Sequence, residues 1–193
     1  MTLLAILGFA ISAWAGIGNT ARDFEAKDIN GNIHHLGDYK GKILILEFYD
    51  LDCPFCKFRY KSGAMQELQR ELTAKGVVWL LVNSVGLTNA SHRSAEAAKK
   101  EWASQKIAAT AWLDDSSGEM AYWNGISRIP ALRIIDKDGI MAYAGPIDDH
   151  PKPEGDPRKA HNFAREAVSA MLAGETVRND NTGGADGCPF KRR

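Results

Sequence analysis

The sequence, 193 residues long, predicts one α/β domain: a mixed central sheet with helices on both faces and a β-hairpin at its N-terminal side. Three observations carry this expectation. An apolar strand, Ile43 to Tyr49, runs into Cys53-Pro54-Phe55-Cys56 at what reads as a helix start. Strand and helix patterns then alternate as βαβα before ending on a hairpin and a helix. Ahead of the first core strand, Asn30-Gly31 marks a tight hairpin turn. The length suits a single domain, and 45% hydrophobic with 25% charged residues suits an ordinary packed core. Lys plus Arg and Asp plus Glu number 24 each, so no general pull toward nucleic acid or an anionic membrane is expected.

Leu3 to Ala15 is apolar but too short to span a bilayer, and Ala13-Trp14-Ala15 supplies a small-x-small cleavage pattern. Residues 1–15 are therefore expected to be a signal peptide, with an uncleaved N-terminal anchor as the alternative. Export, for instance to the bacterial periplasm, follows, with no stable membrane span after cleavage. The domain proper is expected over 16–174. Its hairpin lies within Asp23 to His35, and two glycines around Asp38-Tyr39-Lys40 lead to the strand at Ile43. From Pro54 to about Lys75, Phe58, Met65, Leu68 and Leu72 recur at helical spacing, with Gly76 as the stop. Val77 to Val82 is continuous apolar sequence, as a buried parallel strand requires. Ser94 to Lys106 reads as a second helix, Thr110 to Leu113 as a short strand and Gly118 to Trp123 as a short helix. Leu132 to Ile135 and Ile140 to Ala144 flank an Asp138-Gly139 turn, and Lys159 to Ala173 closes the domain before Gly174. Residues 175–193 are polar and Gly-rich and are expected to form a mobile tail that carries Cys188.

The chemistry concentrates on two thiols. At i and i+3 they share one face of a helix, close enough for a small disulfide ring. A helix N-terminus favours a thiolate, because free backbone N–H groups point at the sulfur. Cys53 is the expected nucleophile, with Pro54 suited to the first helical position. Cys56, one turn in and more buried, is expected to resolve the mixed disulfide. Asp50 and Asp52 would oppose a low thiolate pKa if they faced the sulfur. The same spacing suits half a zinc site, but a structural site needs a second ligand pair, and Cys188 with the five histidines supplies none. No metal or other cofactor is expected. Glu47 interrupts the apolar strand, where a lone carboxylate is expensive to bury. If buried, it has a raised pKa and suits general acid/base work, whereas on an exposed face it would merely pair with a lysine. Tyr49 and Trp79 read as core aromatics, and Arg128 as a solvated side chain.

Phe24, Asp28-Ile29-Asn30-Gly31, Leu36 and Tyr39-Lys40-Gly41-Lys42, followed by the Cys-Pro-Phe-Cys site, resemble the redoxin branch of the thioredoxin fold. That branch includes TlpA/ResA-like exported oxidoreductases and the peroxiredoxins. Asp52-Cys53-Pro54-Phe55, Tyr60, Lys75 to Leu80, Gly145-Pro146-Ile147-Asp148-Asp149 and Gly187-Cys188-Pro189-Phe190-Lys191 resemble a peroxiredoxin-like group of exported bacterial redoxins. Cys56 departs from that group's usual pattern. The resemblance implies a thioredoxin-like three-layer sandwich. It also gives Glu47 the place of the buried proton-relaying acid, and Ile129-Pro130 the place of the cis-proline loop that faces the cysteines and pairs with an incoming peptide. The tail motif implies a redox role for Cys188, as a third thiol able to reach Cys53 or Cys56 or to pair with another chain. A tail of about fifteen residues after Gly174 gives its thiol a root-mean-square reach of roughly 20 Å.

The expected function is a thiol-disulfide oxidoreductase that reduces or exchanges disulfides of proteins or small thiol compounds, recharged by an upstream thiol reductant. Two alternatives use the same residues. In a thiol peroxidase Cys53 would attack a peroxide, but Asp50 stands where the peroxiredoxins usually hold Thr or Ser. A copper-binding chaperone of this fold would use both thiols and a histidine.

Overall fold

The computed structural model describes residues 16–150, 152–179 and 187–190. The expected signal segment lies outside them. Nine strands and five α-helices follow in the order β1 (Glu25–Asp28), β2 (Ile33–His35), β3 (Leu44–Phe48), α1 (Pro54–Ser62), α2 (Ala64–Ala74), β4 (Val78–Asn83), α3 (Ala95–Ser104), β5 (Ala111–Asp114), α4 (Glu119–Trp123), β6 (Arg128–Ile129), β7 (Ala131–Ile135), β8 (Met141–Gly145), α5 (Phe163–Ala173) and β9 (Cys188–Pro189). These are the elements of the described residues.

Seven strands form one sheet in the order β2-β1-β5-β4-β3-β7-β8. β3, β4 and β5 are parallel, and β7 runs antiparallel to β3. Every residue of β3 and β4 is buried, which is why both read as continuous apolar runs. The N-terminal hairpin extends the sheet past β5.

Side-chain alternation sorts the layers. Glu47 pairs in register with Leu132, and Leu46 with Arg133, so Glu47 and Arg133 face opposite sides of the sheet. Tyr60 of α1 and Gln69 of α2 reach Glu47, which puts both helices on its face. Gln69 also accepts a hydrogen bond from Ala108 N at 2.9 Å, tying the segment after α3 to α2. α5 joins this layer through Arg165, whose Nε donates to Glu71 at 2.9 Å. On the opposite side, Arg133 donates to the Asn124 carbonyl at the end of α4. The result is a three-layer α/β sandwich with a mixed sheet, as the sequence predicts.

The helix expected from Pro54 to about Lys75 is broken. Gly63 adopts φ +83, ending α1 and starting α2, a conformation that glycine takes at little cost. The break has a structural consequence. Tyr60 and Gln69 are nine residues apart, which on one continuous helix would place them about 180° apart. Separated by Gly63, both reach the same carboxylate. The last helix starts later than expected, at Phe163, where the Asn162 side chain accepts the Arg165 N–H.

A buried ion pair ties α1 to the segment after β8. Arg59 donates to Asp148 through Nε at 3.0 Å and Nη2 at 2.6 Å, and also to the His150 carbonyl at 3.2 Å. Both residues are buried. Removing one partner leaves an uncompensated interior charge, which costs about 3–5 kcal/mol. Asp148→Ala is therefore expected to lower the urea midpoint strongly, whereas loss of the exposed, solvent-screened Arg158–Glu67 pair should move it little.

Candidate active site

Cys53 is the N-cap of α1, Pro54 is its first residue, and Cys56 follows within the first turn. The Cys53 N–H donates to Asp50 O at 3.2 Å, which closes the turn out of the strand. The disulfide, however, joins Cys53 to Cys188, 135 positions away, with Cα atoms 5.9 Å apart. Cys56 is free and buried. The local Cys53–Cys56 ring expected from the spacing is thus not the bond present here. Helical spacing brings the two thiols near each other, but the tail places a third sulfur directly over Cys53. Cys53 is consequently buried at 3% exposure rather than open at the helix start.

Glu47 is fully buried, and three donors converge on it. Trp79 Nε1 donates at 2.8 Å, Tyr60 OH at 3.1 Å to either oxygen, and Gln69 Nε2 at 3.2 Å. Burial raises its carboxyl to about 7, with the three hydrogen bonds and the Arg59 charge pulling the other way. Of these partners, Trp79 reads from sequence as a core aromatic only, and Gln69 carries no signal at all. The strand register was the missing information: Ile45 lies opposite Trp79, so Trp79 shares the face of Ile45 and Glu47.

Burial pushes the Cys56 thiol well above its ordinary value, and the charges of Glu47 and Asp50 add to the shift. A backbone hydrogen bond from Asp50 and the Arg59 charge oppose it. Cys56 therefore needs a proton acceptor before it can act as a nucleophile near neutrality. The two aspartates beside the site behave differently. Burial raises the Asp50 carboxyl. Asp52 is held below the usual range by a hydrogen bond from Ser91 and then by those from Lys57 and Arg93, with Lys57 Nζ at 3.1 Å and Arg93 Nη2 at 3.0 Å. Its negative charge is largely neutralised by its own partners.

The Ile129–Pro130 peptide bond is cis, and the Ile129 carbonyl oxygen lies 3.5 Å from Cys53 Sγ. β6 and β9 form a separate two-stranded sheet, with Arg128 opposite Pro189 and Ile129 opposite Cys188. Two stretches of the segment expected to be a mobile tail have fixed partners. Asn179 donates to Ala142 O at 2.8 Å, and residues 187–190 lie on Ser127 to Ile129; residues 180–186 and 191–193 lie outside the described set. Arg128, expected to be solvated, is exposed and also donates to Gly187 O at 2.9 Å.

The strand order, the dithiol helix start and the proline loop facing it place the molecule among thioredoxin-fold proteins of the redoxin type. The chain belongs to the AhpC/TSA family, whose model matches residues 17–144. It is 36% identical over 90 residues to the thiol-disulfide oxidoreductase ResA of Geobacillus thermodenitrificans, an overlap of 43% of this chain and 51% of that protein. The chain thus spans about half the length of that relative. Similarity to the thioredoxin-like protein YneN of Bacillus subtilis is 32% over 124 residues, covering 64% of this chain and 68% of that one. The crystal structure of an uncharacterized conserved protein from Geobacillus kaustophilus shares the fold at a TM-score of 0.79 and 24% identity, covering 93% of both chains.

Proposed function

We propose that this chain is a thiol-disulfide oxidoreductase acting on disulfides of exported proteins or of small thiol compounds. The observation that carries the reading is the pairing of two sulfurs in unlike settings. Cys53 sits at a helix N-terminus and is engaged in a disulfide, while Cys56 lies one turn in, free, buried and within the electrostatic field of the buried Glu47. In the forward step the Cys53 thiolate attacks a substrate disulfide, the substrate S–S bond breaks, and the released substrate thiolate takes a proton. Cys56 then gives up its proton, with Glu47 as the acceptor, and attacks Cys53 Sγ. The second substrate sulfur leaves as a thiol. The substrate gains two electrons, Cys53 and Cys56 lose them, and a thiol reductant restores the pair.

The apolar N-terminal segment supports an exported location, and no helix among the described residues is long and apolar enough to cross a membrane. The test is insulin reduction by the full chain with dithiothreitol as donor, run beside turnover of hydrogen peroxide. Insulin reduction well above the dithiothreitol background is expected, with peroxide consumed more slowly. No rate above background would remove this reading, and preferential peroxide consumption would replace it with the peroxidase alternative.

A further inference from the structure

Residues 187–190 lie against the proline loop as a bound peptide would. Cys188 pairs with Ile129 and Pro189 with Arg128 in antiparallel register. The Phe190 N–H donates to Ser127 O at 2.8 Å, and Arg128 Nη1 donates to Gly187 O at 2.9 Å. Phe190 is half-buried against the core, and with Pro189 it walls a cleft of about 130 Å³ whose other side includes Phe48, Asp50, Ser84 and Asn89. Gly187 is buried, and a Cβ built on it would lie 2.4 Å from Ile129 O and 3.0 Å from Ile129 C. Both atoms are backbone, so no rotamer change relieves the contact, and a side chain at this position would push the strand off the loop.

We propose that Gly187-Cys188-Pro189-Phe190 is a tethered ligand of the groove formed by Ser127–Ile129 and Cys53, a built-in peptide that occupies the substrate site and requires glycine immediately before its cysteine. This deepens the oxidoreductase reading and rests on it for the sulfur chemistry. A foreign strand added to the same edge would need the same backbone partners, so tail and substrate exclude one another. The short tether gives the tail an effective concentration on the order of millimolar, which a dilute substrate does not match. Release of the covalent tail needs no outside oxidant. The Cys56 thiolate attacks Cys53 Sγ, the Cys53–Cys188 bond breaks as the Cys53–Cys56 bond forms, and Cys188 leaves as a thiolate that takes up the proton Cys56 gave away.

The test uses the reduced full chain as Cys188→Ser, whose tail keeps its backbone pairing, and as Cys188→Ser combined with Gly187→Ala, whose tail cannot dock; neither leaves a tail thiol to react. The probes are two synthetic peptides, Gly-Cys-Pro-Phe and Ala-Cys-Pro-Phe, each blocked at both ends and activated as a mixed disulfide with thionitrobenzoate, whose release is followed by absorbance. The double variant is expected to react with the glycine peptide about ten-fold or more faster than with the alanine peptide. Cys188→Ser should react with the glycine peptide several-fold more slowly than the double variant, because its own tail occupies the groove. Equal rates for both peptides, or Cys188→Ser as fast as the double variant, would overturn the tethered ligand while leaving the oxidoreductase reading intact. No thionitrobenzoate release from any form would sink both. Peptide mapping of the oxidised chains gives a second readout: wild type should show Cys53–Cys188, and Gly187→Ala should show Cys53–Cys56. A Cys53–Cys188 bond retained in Gly187→Ala also counts against the proposal.

Discussion

Cys53→Ser should abolish insulin reduction, a loss on the order of a thousand-fold or more, because the attacking sulfur itself is gone. No other described thiol can substitute in place. Cys56 is buried with its thiol pushed upward, and Cys188 sits on the peptide strand opposite Ile129 rather than on the domain's own helix. Cys56→Ser should behave differently. The first attack survives, but its product cannot be resolved from within α1, so Cys53 accumulates in a mixed disulfide with substrate or with Cys188. Mass spectrometry of alkylated peptides separates these outcomes. If Cys56 rather than Cys53 alkylates first in the reduced chain near neutral pH, the two roles are reversed. If Cys53→Ser keeps wild-type turnover, the site is not built around this helix start.

The positions of Cys53 and Glu47 were legible in the sequence because each violates its surroundings. A lone acid in an apolar strand and two thiols at helical spacing both demand an explanation from local pattern alone. The sheet was equally legible, since the buried strands read as continuous apolar runs and the hairpins carry Asn-Gly and Asp-Gly turns. What surrounds Glu47 was not. Tyr60, Gln69 and Trp79 come from three elements and are ordinary in each. They meet only because Gly63 breaks the helix and the β3–β4 register sets Trp79 beside the acid. Spacing alone pointed to the local Cys53–Cys56 ring, whereas the bond present is one of those the resemblance implied, with Cys188 reaching Cys53. Spacing says which thiols are close along one helix and says nothing of a sulfur delivered from 135 positions away. Two-residue strands such as β6 and β9 have no periodicity to read, and Gly187 in a Gly-rich stretch looks like one more flexible residue until Ile129 is placed against it.

Glu47→Gln should slow the resolving step by roughly ten- to a thousand-fold while leaving the first attack by Cys53 nearly intact. Gln cannot accept the Cys56 proton, but it has nearly the same shape, so Trp79, Tyr60 and Gln69 remain packed around it. In wild type the resolving rate should rise as the carboxyl ionises through about 7, and in the variant this limb should disappear. A stability measurement checks the same group without any turnover. The folded carboxyl, raised to about 7, sits above its ordinary value of 4.5. Between these values the folded chain holds a proton that the unfolded chain has lost. Its contribution is fully present below the unfolded value and is lost as pH rises through the folded one, an effect on the order of 3 kcal/mol. The wild-type urea midpoint should therefore fall between about pH 5 and 8 by more than that of Glu47→Gln. Tyr60→Phe provides the contrast, since it removes one donor and keeps the acid: the resolving limb should persist, moved to higher pH by the loss of a hydrogen bond that favours the carboxylate. Identical resolving rates for wild type and Glu47→Gln across that range would leave Glu47 as a buried structural acid, with its three donors as packing partners alone.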